Sequence, residues 1–124
     1  MSGSPSASRA LRRALQALAQ PGSMQRRLFP EFSSVGDELA RVFATAFRAA
    51  ELERRNDAGH GFAHDRARSV SLEIEACFVA HGGAGNADFW DDLDHPRWEE
   101  LRILARSALA LHGWPTHEPR PHDP

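Results

Sequence analysis

The chain has 124 residues, 41% of them apolar and 26% charged, a balance that suits one domain with a single core and excludes wholesale disorder. No apolar run approaches the ~20 residues that span a bilayer, and all fifteen basic residues are arginine. Without lysine, Schiff-base chemistry, pyridoxal phosphate catalysis and the phosphate-binding lysine of P-loops are all excluded.

The opening Met1-Ser-Gly-Ser-Pro-Ser-Ala-Ser is polar and lacks the hydrophobic stretch of a secretory signal. Cys77 is the only cysteine, so no internal disulfide can form, and a cytoplasmic location is expected. Residues 1–7, rich in Ser, Gly and Pro, are expected to be a disordered tail. From Ser8, a candidate cap, Leu11, Ala14, Leu15 and Leu18 recur at helical spacing until Pro21-Gly22 stops the run. Residues 23–32 read as a connection, with Leu28, Phe29 and Phe32 folding onto the core.

The second helix is the clearest. Val35, Leu39, Val42, Phe43, Ala46, Phe47 and Ala50 form an amphipathic stripe opposite Glu38, Arg41, Arg48, Glu51 and Arg55. Ser33 or Ser34 is placed to cap it, and it should end near Asn56. A third helix is expected from about Asp65 to His81. Val70, Ile74, Cys77, Phe78 and His81 share one face, and Leu72, Ala76 and Val79 occupy much of another. A helix apolar on two sides is usually buried on two sides, which places this one at the centre of a bundle.

After His81-Gly-Gly-Ala-Gly85, Asn86 is placed to cap a short helix carrying Phe89, Trp90 and Leu93. Asp94-His95-Pro96 starts the last helix, with Trp98, Leu101, Leu104, Ala105 and Ala108 on its apolar side, and Gly113 followed by Trp114 ends it. Strand patterns are absent. The reading is all-α: an antiparallel bundle of about four principal helices plus one short helix, one domain over 8–115, and a flexible Pro/His-rich tail over 116–124.

Four constellations bear on chemistry. Glu73, Cys77 and His81 lie at i, i+4 and i+8 on one helix and are ligand types for a metal, as are His60 and His64. No closed ligand set is visible, however, and a free cysteine on an apolar stripe behaves as a small hydrophobe. No cofactor is expected. The glycine-rich turn before residue 86 lacks the lysine and Ser/Thr of a P-loop and is followed by aspartates that would repel phosphate.

Charge is unevenly distributed. Residues 1–30 hold Arg9, Arg12, Arg13, Arg26 and Arg27 and no acid, whereas residues 86–100 hold Asp88, Asp91, Asp92, Asp94, Glu99 and Glu100 against Arg97 alone. The arginines suit phosphate, but no nucleic-acid motif accompanies them and the chain is mildly acidic overall, so nucleic acid is not the expected partner. Acids around aromatics can engage a basic protein. Asp88, Trp90, Asp91, Asp92, Asp94 and Trp98 therefore form the candidate partner-binding set, with either tryptophan an anchor if exposed. The bland alternative packs the aromatics inside and leaves the acids to solvate the surface.

The segment Asn86-Ala-Asp-Phe-Trp-Asp-Asp-Leu-Asp-His-Pro-Arg-Trp-Glu-Glu through His112, together with Leu28-Phe-Pro-Glu-Phe-Ser-Ser-Val-Gly-Asp-Glu-Leu-Ala40, resembles small helical proteins of GC-rich bacteria. Some small acidic helical proteins of this general kind are immunity proteins for bacterial toxins. The resemblance transfers no active-site residue. It favours a non-enzymatic module that masks or regulates a protein partner. The alternatives are a metal-binding protein or enzyme using Glu73, Cys77 and His81, and a helical subunit of a larger assembly or homodimer, since a buried stripe and an oligomer seam look alike in sequence.

Overall fold

The computed structural model describes residues 5–30, 34–56, 62–81, 90 and 92–119. It is all-α, with helices α1 (Pro5–Leu18), α2 (Gly22–Leu28), α3 (Val35–Asn56), α4 (Phe62–Ala80) and α5 (Pro96–His112), and no strand among the described residues. The four long helices are those expected from periodicity. The short helix expected after Asn86 lies mostly outside the described residues.

Two boundaries differ from expectation. Helix α1 begins at Pro5, ahead of the Ser8 cap. A proline in the first turn gives up only an amide hydrogen that has no intrahelical partner there. The supposed connection after Pro21 contains α2, a seven-residue helix. A helix so short is marginal alone and depends on tertiary anchoring. Gln25 supplies it: its buried side-chain amide donates to the carbonyls of Ala17 (3.2 Å) and Leu18 (3.1 Å), capping the end of α1. Arg26 and Arg27 sit in the last turn of α2, where the helix dipole favours them. Leu28 and Phe29 pack on the core as expected, and Phe32 lies outside the described residues.

The order of packing also departs from the sequence reading. Helix α4, expected at the centre, has its second apolar face turned outward: Leu72 is 36% and Val79 74% exposed, and Ala76 is exposed as well. Its buried side is Ala67, Ser71, Ile74 and Phe78, and it packs chiefly on α5, touching α3 only sparsely. The elements with neighbours on two sides are α5, which packs on α4 and α1, and α1, which packs on α5 and α3. The uncharged run at the end of α1, Ala14-Leu-Gln-Ala-Leu-Ala19, is buried throughout. That run, without a charge for six positions, was the available signal.

Helices α3 and α4 are antiparallel. Arg68 near the start of α4 pairs with Glu51 near the end of α3 at 2.7 Å, while Phe78 near the end of α4 meets Phe43 with ring centroids 6.2 Å apart. An aromatic cluster fills the space between these helices and α5. Phe78 is the hub, stacked on Trp90 at 6.0 Å and tilted against Trp98 at 5.7 Å. Glu38, expected on the solvent face, is buried and covered by the exposed Arg41 guanidinium in a two-oxygen pair. That pairing, by hydrogen bond first and by charge second, raises the pKa of Arg41.

Ser34 does not cap α3 through its side chain, since its hydroxyl has no hydrogen-bond partner, and Ser33 lies outside the described residues. The last helix ends as its sequence demands. Gly113 takes φ 74° and donates to the Ala110 carbonyl, and Trp114 N–H donates to that of Leu109, a Schellman closure. Trp114 stacks on His112 at 4.0 Å. The following residues, expected to be loose from 116, are held at their start: Gln16 and Gln20 donate to the carbonyls of Pro115 (3.1 Å) and Thr116 (3.0 Å).

Gly36, in the first turn of α3, is buried beneath the two tryptophans. A Cβ there would overlap the Trp90 carbonyl oxygen and lie 2.8 Å from Trp98 Cζ2. Helix propensity alone makes Gly36→Ala favourable by ~1 kcal/mol, but overpacking a core costs about 1–3 kcal/mol. We expect Gly36→Ala to lower the thermal midpoint and shift tryptophan emission. An unchanged or raised midpoint would show that the contact is slack.

Candidate functional site

The acidic segment enters α5 through a turn whose geometry is fixed at each residue. Asp92 Oδ1 accepts from the Asp94 backbone N–H at 3.0 Å, and the Asp92 carbonyl accepts from His95 N–H at 3.0 Å. These are local bonds that aspartate makes readily in turns. His95 caps α5, its Nδ1 accepting from Arg97 N–H at 3.1 Å, and Pro96 follows at the first helical position. Leu93 points inward and is buried.

Beneath the turn lies Arg102, 7% exposed. Its Nη2 donates to the Leu93 carbonyl and to Gln25 Oε1 at 3.1 Å, and its Nη1 to Glu99 at 3.3 Å. The planar guanidinium suits such a divided task. One residue of α5 thus ties down the turn, α2 and, through Gln25, the end of α1. Gly22 leaves room for it, since a Cβ there would come 3.1 Å from Arg102 Nη2.

The described candidate partner-binding residues divide into three groups. Asp92 and Asp94 are exposed on the turn. Trp90 is half-buried: its indole N–H donates to the His81 carbonyl at 2.7 Å and its ring stacks on Phe78, so it seals the end of the bundle. Trp98 is fully buried. As a surface anchor it is corrected to a core residue, because α5 turns that position toward Phe78 and Gly36. Asp88 and Asp91 lie outside the described residues.

Among the described residues, the basic and acidic segments meet within the molecule where Arg26 lies 3.6 Å from Asp94. Both side chains are largely exposed, so the pair contributes little to stability. Glu99 is within reach of Arg102 and Arg106, and Glu100 of Arg97. Asp92 has its turn contact and no ion pair among the described residues.

The metal-ligand candidates are not gathered into a set. Glu73 is exposed, Cys77 is half-buried, and His81 Nδ1 is 2.9 Å from the Cys77 carbonyl. Burial pushes the Cys77 thiol up, with Arg97 opposing and Glu100 assisting to smaller extents. A thiol held protonated is a poor nucleophile and a poor ligand. Among the described residues no three His, Cys, Asp or Glu side chains are grouped to hold a metal ion. His60, the His64 side chain and the glycine-rich turn after His81 lie outside those described.

Comparison with protein families, with curated proteins and with solved structures finds no match to this chain. No helix of the described residues is long and apolar enough to cross a membrane.

Proposed function

We propose that the chain is a non-enzymatic binding module that masks or regulates a basic protein partner, in the manner of an immunity or antitoxin-type inhibitor. The observation that supports this reading most is the pinned turn at Asp92–Asp94. Exposed carboxylates are carried on backbone held from beneath by Arg102 and from the side by the α5 cap. A surface fixed before encounter loses less entropy on binding, and its charge steers a cationic partner and speeds association. The anchoring role passes from Trp98 to the acids themselves and to the exposed edge of Trp90.

The test begins with co-purification from native extract at moderate salt, which should recover one basic protein in stoichiometric amount, released by high salt. Reversal of Asp88, Asp91 and Asp92 to arginine should then weaken its capture at least about a hundredfold while helical circular dichroism is retained, as expected when a surface of one sign is inverted. Unchanged affinity in the triple variant, or recovery of no stoichiometric protein, would overturn the reading.

A further inference from the structure

The outward face of α4 is a second surface, unrelated to the acidic turn. Ser69, Leu72, Ala76 and Val79 are all exposed and follow one another at spacings of three, four and three, the spacing of a helix-pairing seam. They lie opposite the buried Ala67, Ser71, Ile74 and Phe78. Leu72 and Val79 account for two of the four large exposed apolar side chains among the described residues. An apolar stripe at this spacing on a helix whose other side already serves the core is surplus to the fold.

The charges flanking the stripe indicate what covers it. Along one edge stand Arg66 and Glu73, both exposed and neither in an ion pair among the described residues. They are two helical turns, about 10 Å, apart. The basic residue lies towards the start of the helix and the acidic one towards its end. Turning a second copy of α4 by a two-fold rotation about the midpoint between them sets Arg66 of each copy against Glu73 of the other. That midpoint falls within two residues of the middle of Phe62–Ala80, so the register that matches the charges also overlaps the two helices almost end to end. A shift of one heptad in either direction loses both matches.

We propose that two copies of this chain associate through α4, antiparallel and two-fold symmetric, with Ser69 and Leu72 of each copy beside the two-fold axis and the Arg66–Glu73 pairs on the rim. Such an interface is isologous and closes on itself. A strip one helix long lies at the low end of specific interfaces, below about 1,200 Å² in total, so the dimer forms at micromolar concentrations or above and dissociates on dilution.

Sedimentation velocity on the full chain, from about 1 to several hundred micromolar, should show a concentration-dependent monomer–dimer equilibrium. Leu72→Arg, a change at an exposed site beside the axis, should retain the native helical circular dichroism and abolish the dimer. Arg66→Glu and Glu73→Arg should each weaken association at least tenfold. Mixed in equal amounts, these two variants should regain it as a heterodimer, because both rim pairs are then restored. That recovery depends on the antiparallel register. A native chain that stays monomeric throughout the range, a dimer indifferent to Leu72→Arg, or failure of the mixture to associate would each overturn the proposal.

Discussion

Replacing Arg102 by alanine is expected to cost about 3–5 kcal/mol of folding stability, the range for removing one partner from a buried charged network. The side chain is 7% exposed and serves three acceptors on three segments: the Leu93 carbonyl, Gln25 Oε1 and the Glu99 carboxylate. Alanine strands the first two without this donor, each a desolvated group costing roughly 1–3 kcal/mol when left unmade, and also removes the aliphatic stem. Because Gln25 caps α1 from the same point, α2 should loosen along with the turn. Denaturant unfolding measures the loss, and hydrogen exchange at Gly22–Leu28 should accelerate well beyond that of α4. Arg102→Lys should fall between, since one ammonium cannot reproduce the fork. A loss below about 1 kcal/mol would mean that water replaces the guanidinium at little cost.

Trp98→Ala should be comparably severe, about 3–5 kcal/mol, as for other large aromatic truncations in cores. Its ring is fully buried, 5.7 Å from Phe78 and 6.4 Å edge-on to Trp90, with the Gly36 backbone against its far side. The void opens where α3, α4 and α5 meet, so no single helix can shift to fill it. Trp98→Phe keeps part of the packing and should cost less than half as much. Had Trp98 been a surface anchor, Trp98→Ala would leave stability nearly untouched and reduce partner capture alone. A thermal midpoint within 2 °C of the native value would restore that assignment.

Much of the fold was legible because amphipathic spacing is a strong signal when one side of a helix meets water. Val35 to Asn56 shows it plainly, and so do the proline start and glycine stop of α5. What escaped was less local. Gln16 and Gln25 read as polar and are fully buried, because each has a carbonyl partner that only the tertiary fold supplies. Pro21-Gly22 follows the end of one helix at Leu18 and already opens the next, which starts at Gly22, and composition does not distinguish a stop from a restart. The two apolar faces of α4 were visible in the sequence, but whether the second meets another helix or solvent depends on neighbours that periodicity does not encode. Of the candidate site, the exposed Asp92 and Asp94 were legible as charge. The arginine fixing their turn was not, because Arg102 lies eight to ten residues away on the next helix and looks like any other arginine on it.

The amides of Gln16 and Gln20 reach carbonyls 99 and 96 residues further along the chain. In the order of synthesis, Gln25 can cap the end of α1 early, but the tie from α1 to the C-terminal segment must wait for residues 115 and 116. Until α5 has emerged, the apolar run Ala14–Ala19 has α2 and α3 to rest against, while its other side waits uncovered. Contacts so distant in sequence slow folding, because a long loop must close before they are made. Helix α1 is thus made before its neighbour α5 and is fully covered only after it, and until then the nascent chain carries a half-covered apolar segment.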